Sequence, residues 1–107
     1  MAIQTIGIIG SGAMGRGIAQ LFAQCGRTVV LHDTQAPALQ AAMQYLSKTF
    51  DTLVAKGKLP PDQAKEILAR VSITQELAGL AQCDLVVEAI VENLAVKQTF
   101  LFTNNYP

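Results

Sequence analysis

The chain has 107 residues, half of them apolar, with eight basic and eight acidic side chains and a formal net charge of zero. That length supports one domain with one modest core, and a balanced charge offers no long-range attraction for nucleic acid or an anionic membrane. The longest apolar runs are strand-sized, which excludes a transmembrane helix and a secretory leader within these residues and makes the cytoplasm the expected compartment.

The first element is the run Ile6-Gly7-Ile8-Ile9, which reads as a buried strand. Gly10-Ser11-Gly12-Ala13-Met14-Gly15 follows it directly, a GxGxxG that opens an Ala/Ile/Leu-rich segment. Alone, such a hexapeptide is weakly diagnostic. Here a second apolar run, Thr28 to His32, ends at Asp33, and strand, glycine turn, helix, strand, acid is the order of a dinucleotide-binding βαβ unit.

Each glycine has a physical task. Gly10 lets the chain turn out of the strand, Gly12 has no Cβ and lets a pyrophosphate approach the backbone, and Gly15 lets the helix lie close to the strand. The helix N-terminus then points its free N–H groups at the phosphates. Ser11 offers a hydroxyl donor, and Arg16 is expected to face solvent.

The first helix is predicted from Ala13 to about Cys25, with Ile18, Leu21 and Phe22 on its buried face and Gly26 as its stop. Asp33 stands at the carboxyl end of the second strand, where open α/β sheets bind ligands. Its carboxylate can accept hydrogen bonds from both ribose hydroxyls of an adenosine, and it also suits the start of the next helix. A 2′-phosphate would be repelled, and no arginine follows among Thr34, Gln35, Ala36 and Pro37, so NAD is favoured over NADP. His32 reads as a strand or edge residue near the adenine side and has no visible catalytic partner.

From Pro37 to about Lys56, Leu39, Met43, Leu46, Phe50 and Leu53 recur at alternating spacings of four and three, which predicts one amphipathic helix roughly 30 Å long. Gly57 ends it. Pro60-Pro61-Asp62 opens another helix carrying Ala64, Ile67, Leu68 and Val71, with Glu66 and Arg70 on its solvent face. A helical hairpin over about 36–70 thus replaces a short crossover. Val71 to Thr74 is a short third strand, a helical turn follows around Leu77 to Ala81, and Asp84 to Ile90 is a buried parallel strand. Its carboxyl end delivers Glu88, Glu92 and Asn93 to the ligand side. Leu94, Val96, Lys97, Phe100 and Leu101 predict a last helix, after which the pattern fails. Cys25 and Cys83 are isolated, have no metal-ligand spacing and read as core or near-core residues in a reducing compartment; no metal site is expected.

The stretch Ile8 to Ala19, the strand ending at Asp33, the segment Lys56-Gly57-Lys58-Leu59 and the run Asp84 to Asn93 together closely resemble the N-terminal NAD-binding domain of 3-hydroxyacyl-CoA dehydrogenases. The resemblance covers about Ile3 to Phe102. Its most specific part is Glu88-Ala89-Ile90-Val91-Glu92-Asn93, followed by Lys97, which is not a general feature of dinucleotide-binding folds. It implies an α/β, Rossmann-type parallel sheet with an inserted helical hairpin, cut after the fourth strand and its following helix. It also implies NAD-dependent oxidation of the 3-hydroxyl of an acyl-CoA to a 3-keto group, in fatty-acid β-oxidation or a related pathway.

Position by position, the resemblance assigns the pyrophosphate to Gly10, Ser11, Gly12, Ala13, Met14 and Gly15, and the adenosine ribose to Asp33. It places Glu92 and Lys97 near the nicotinamide end and Thr49 and Lys56 against the CoA moiety of the substrate. The family's catalytic histidine and glutamate, with the assisting serine and asparagine, fall beyond the matched part, and His32 does not align with that histidine. No catalytic residue is therefore expected in this chain, which reads as the N-terminal part of the NAD-binding domain without the helical C-terminal domain, inactive alone. A homo-oligomer, such as a dimer, is expected from an unpaired sheet edge and an exposed apolar helix face. Two other readings stay open. One is a non-catalytic, self-associating nucleotide-binding module. The other is a 3-hydroxyisobutyrate-type dehydrogenase, a family that lacks the long hairpin of Pro37 to Arg70.

Overall fold

A computed structural model describes residues 3–92, 95–96 and 101–102, with side chains described as far as Ile90. In chain order the elements are β1 (Thr5–Ile9), α1 (Ala13–Gln24), β2 (Thr28–His32), α2 (Ala36–Ala55), α3 (Pro61–Ala69) and β3 (Val71–Thr74). A 3-10 turn at Leu77–Leu80 then leads to β4 (Leu85–Glu88), β5 (Val91–Glu92), β6 (Ala95–Val96) and β7 (Leu101–Phe102). The main sheet has the order β3-β2-β1-β4-β7, in which the first four strands are parallel. The expected α/β architecture with an inserted helical hairpin is present.

Strand register follows from which side chains can be buried. Ile6 and Ile8 on β1, Val29 and Leu31 on β2, Val71 on β3 and Val87 on β4 share one sheet face and are buried together with α1, α2 and α3. Each fully buried Ile or Leu contributes about 1.5–3 kcal/mol, and a slip of one residue would turn the whole set outward. The register is also pinned at the amino end, where Oδ2 of Asp84 accepts the N–H groups of Gln4 and Thr5 at 2.9 and 3.0 Å and the Asp84 N–H donates to the Thr5 carbonyl at 2.8 Å.

The face of α1 that meets the sheet is made of Gly15, Ala19 and Ala23, flanked by Met14, Ile18 and Phe22. Leu21, expected on that face, is 59% exposed. The helix lies so close to the strands that only its smallest side chains fit between, which rotates the apolar stripe away from its largest members. Cys25 is likewise exposed rather than near the core, and Cys83 is half-buried. On α2 the expected stripe holds for Leu39, Leu46 and Phe50, which are buried, with Ala42 buried between them and Met43 and Leu53 packed at its border.

Two further expectations are corrected. Arg70 is half-buried rather than on the solvent face: its Nη1 donates to the carbonyl of Ala23 at 2.8 Å, which also accepts the Gly26 N–H at 3.1 Å, and so places a cation at the C-terminal, negative end of α1. The helix predicted over Leu94 to Leu101 is absent where the chain is described, because Ala95–Val96 pairs with Val91–Glu92 and Leu101–Phe102 pairs antiparallel with Val86 and Val87. The outer N–H and C=O groups of β4 need partners, and the apolar pair Leu101-Phe102 supplies them from within the chain. That edge of β4, expected to be unpaired, is therefore covered at two residues.

The tightest approach in the fold is between α1 and the turn leaving β1. A Cβ on Gly15 would overlap the Gly10 carbonyl oxygen and lie 2.8 Å from its carbon. Gly15→Ala forces the helix off the sheet, and we expect a loss of about 2 kcal/mol or more in urea unfolding. A loss below about 0.5 kcal/mol would show that α1 has room to shift.

Candidate functional site

Three strand ends converge on one crevice. The Gly10 N–H donates to the His32 carbonyl at 2.8 Å, and the Ala89 N–H donates to the Ile9 carbonyl at 2.8 Å, so the ends of β1, β2 and β4 are tied across the glycine turn. Gly10 itself has φ +105°, and a Cβ there would meet the Ala89 carbonyl oxygen at 2.5 Å. The crevice is a cavity of about 540 Å³ lined by the run Ile9 to Met14, by His32, Asp33 and Thr34, and by Ala89 and Ile90.

At one end of this cavity α1 begins. Gly12 is its N-cap, no side chain caps it, and no acidic residue occupies its first turn. Its first N–H groups and positive dipole end are left for an anion. A Cβ built on Gly12 meets nothing within 4 Å, so the space beside this backbone is open to a ligand.

Asp33 holds the two loops of the site together. Oδ2 accepts the Ser11 N–H at 3.1 Å and the Ser11 hydroxyl at 2.7 Å, while Oδ1 accepts the Gln35 N–H at 3.0 Å in an Asx turn that starts α2. Ser11 is 2% exposed, and both of its donors are engaged by Asp33. Burial pushes the Asp33 carboxyl up. The Gln35 N–H, the Ser11 hydroxyl and N–H and the adjacent His32 outweigh it, and together they hold the group below its ordinary value.

The other anticipated residues fall in different places. His32 is buried within the sheet between β1 and β3, not at an edge, and its Nδ1 has no hydrogen-bond partner. Arg16, expected in solvent, has its guanidinium carbon 4.3 Å from the centre of the Tyr45 ring, linking α1 to α2. Thr49 lies on α2 with its hydroxyl donating to the Tyr45 carbonyl at 2.8 Å, and Lys56 is the exposed C-cap of that helix. They are seven residues apart, hence on one helix face about 10 Å from each other. Neither lines the cavity. Glu88 stands at the carboxyl end of β4 in register with Ile9. Glu92 lies in β5, with its side chain outside the described residues, as are Asn93 and Lys97. Among the described residues no cluster of His, Cys, Asp and Glu could hold a metal ion, and no helix is long and apolar enough to cross a membrane.

A parallel sheet whose first strand passes through a glycine turn into an uncapped helix, with a carboxylate closing the second strand, defines a dinucleotide-binding domain of the Rossmann class. The sequence profile of the family "3-hydroxyacyl-CoA dehydrogenase, NAD binding domain" matches residues 5–104. The chain belongs to that family. It is 46% identical over 91 residues to a probable 3-hydroxybutyryl-CoA dehydrogenase of Deinococcus radiodurans, covering 85% of this chain and 32% of that protein. It is 34% identical over 99 residues to the alpha subunit of the fatty acid oxidation complex of Psychrobacter cryohalolentis, covering 92% of this chain and 14% of that one. The crystal structure of 3-hydroxybutyryl-CoA dehydrogenase from Escherichia coli K12 superposes with a TM-score of 0.83 at 36% identity, covering 87% of this chain and 20% of that one. The chain thus spans about a third or less of the length of these relatives.

The depressed Asp33 value has a signed consequence. A carboxyl whose folded value lies below its unfolded one stabilises fully above the ordinary 3.8, and that contribution is lost as pH falls through the folded value. Thermal melts of wild type and Asp33→Asn between about pH 6 and about pH 2.5 should show the wild type losing more stability on the acid side. Parallel curves would mean that the Ser11 and Gln35 bonds contribute nothing to folding.

Proposed function

We propose that the cavity holds NAD and that this domain serves the oxidation of the 3-hydroxyl of an acyl-CoA thioester to a 3-keto group. The observation that carries the cofactor assignment is the open backbone at Gly12 beside the uncapped start of α1, with Asp33 across the crevice. Gly10 and Gly15 shape the cradle, and the N–H groups of Gly12, Ala13 and Met14 face the pyrophosphate. Asp33 takes the adenosine ribose. An ionised carboxylate has about four acceptor directions, of which Ser11 and Gln35 use three. Accepting both ribose hydroxyls therefore requires the Ser11 hydroxyl to turn away, so Ser11 acts on the cofactor through Asp33. A 2′-phosphate would meet the same carboxylate, which favours NAD over NADP.

NAD supplies the hydride acceptor when bound. The chain's own contribution is binding and orientation, because its single histidine is a wall of the cofactor cavity. Glu92 and Lys97 are proposed to lie at the nicotinamide end. Thr49 and Lys56 form the CoA-facing stripe of α2, where the exposed Lys56 ammonium suits a phosphate. The substrate class rests on the relatives, which are named for 3-hydroxybutyryl-CoA and for fatty-acid oxidation. The inserted α2–α3 hairpin, present as expected, argues against the 3-hydroxyisobutyrate-type reading.

Fluorescence titration tests the cofactor. Wild type should bind NADH at least about 10-fold more tightly than NADPH, and Gly12→Val should weaken NADH by about 10-fold or more while changing unfolding free energy by less than about 1 kcal/mol. Unaltered NADH affinity in Gly12→Val would remove the pyrophosphate assignment. For the substrate, Lys56→Ala should weaken CoA binding about 3- to 10-fold by calorimetry at low salt and much less at high salt. No change at low salt would detach Lys56 from the CoA site.

A further inference from the structure

Ser11 and His32 are the two buried polar side chains among the described residues, and they differ in one respect. Ser11 is satisfied by Asp33. His32 is 5% exposed, lines the cofactor cavity, and keeps a buried Nδ1 without a partner. An imidazole nitrogen left unpaired in the interior costs the folded state its desolvation with nothing in return, so such an atom calls for an explanation.

The neighbours of His32 along the sheet supply no partner. In register beside it stand Ile9 on β1, which is apolar, and Thr74 on β3. The Thr74 hydroxyl is already engaged, accepting the Glu76 N–H at 3.1 Å and donating to the Glu76 carbonyl at 3.2 Å. Glu88 lies beyond Ile9 on the same row, two strand spacings or roughly 9–10 Å away, too far for direct contact. Asp33, the adjacent charge, has its carboxylate turned to Ser11 and Gln35. The backbone at His32 is held fast, since its carbonyl accepts the Gly10 N–H at 2.8 Å. The ring is therefore held at the cavity wall. A half-turn about χ2 exchanges Nδ1 with Cδ2 and Nε2 with Cε1 within the same plane, so a bound ligand can select which ring nitrogen it meets.

We propose that His32 is the residue that hydrogen-bonds the adenine base of the dinucleotide, an inference that rests on the assignment of this cavity to NAD. The phosphates have the start of α1 and the ribose has Asp33, so the base is the remaining part of the adenosine that needs a polar partner. A purine edge carries both ring-nitrogen acceptors and an amine donor, and a neutral imidazole complements either. Ile9, Ala89 and Ile90 offer apolar walls for the faces of a flat ring. His32 is thus a binding and positioning residue that takes no part in proton or hydride transfer.

ADP-ribose, which has the adenosine half and no nicotinamide, is the probe. Calorimetry on the whole chain should give an affinity about 3- to 10-fold weaker for His32→Leu than for wild type, with part of it restored in His32→Gln and with a melting temperature no lower than that of wild type. In wild type, saturating ADP-ribose should shift the imidazole nitrogen resonances of His32 in the NMR spectrum. Unchanged affinity in His32→Leu, or imidazole resonances that do not move, overturns the proposal while leaving NAD binding intact. If His32→Leu does not fold, the wild-type resonances decide. Failure of wild type to bind ADP-ribose at all would overturn the NAD reading, and this proposal with it.

Discussion

The contact between Gly15 and the Gly10 carbonyl is the constraint around which the rest of the molecule is arranged. A helix that approaches a strand this closely can carry no side chain at the point of contact, and its axis is then fixed relative to the turn that precedes it. Its N-terminus has to open on the crevice at the carboxyl ends of the strands. The same turn must bend sharply enough for the Gly10 N–H to reach the His32 carbonyl, while Ala89, just past the end of β4, brings its carbonyl oxygen from the other side to within 2.5 Å of where a Gly10 Cβ would be. Core packing and the open, uncapped start of α1 are consequences of one steric requirement. The small residues Ala19 and Ala23 continue it along α1.

Asp33 is the second fixed point, and its structural task draws on the same oxygens as the ribose contact proposed for it. It joins the glycine turn to the start of α2 through three hydrogen bonds from two loops that are 22 and 2 residues away in sequence. In the proposed NAD site a ribose hydroxyl would compete with Ser11 for Oδ2. Until then the Ser11 donors hold the carboxylate in one orientation. Substituting Asp33 would alter loop geometry and the proposed ligand contact together, whereas a Cβ on Gly12 meets only open space and separates the two effects.

Much of this was legible in the sequence because it depends on short-range periodicity and on glycine sterics. The strand-turn-helix-strand-acid order, the stripe of Leu39, Leu46 and Phe50 and the α2–α3 hairpin are properties of spacing, and spacing survives folding. What the sequence hid depends on partners distant along the chain. Leu21 has the right spacing for a buried face, but the close approach of α1 gives that face to Gly15, Ala19 and Ala23. Arg70 has the composition of a surface residue, yet its partner is a carbonyl 47 residues earlier. Leu101 fits a helical pattern, but with Phe102 it pairs with the outer backbone of β4, a preference that local periodicity cannot express. His32 was placed near the adenine side, while its burial between two strands and its unpartnered nitrogen needed the sheet order. Among the assigned site residues, the glycine turn and Asp33 come together around one cavity, and Thr49 and Lys56 form a separate stripe.

That separate stripe is connected to the cavity through a contact that charge alone would not suggest. Tyr45, Thr49, Thr52 and Lys56 follow one another at spacings of four, three and four, a single line along the outer face of α2. The hydroxyl of Thr49 bonds back to the Tyr45 carbonyl and that of Thr52 to the Lys48 carbonyl, which keeps both side chains against the helix. Arg16, one residue past the last glycine of the turn, stacks on Tyr45 at the head of this line. A cation–π contact at a partly exposed site is worth only about 0.5–1 kcal/mol, so it orients the two helices more than it holds them together. Its position matters more than its strength. It ties the first turn of α1, proposed to face the phosphates, to the α2 face proposed to meet CoA.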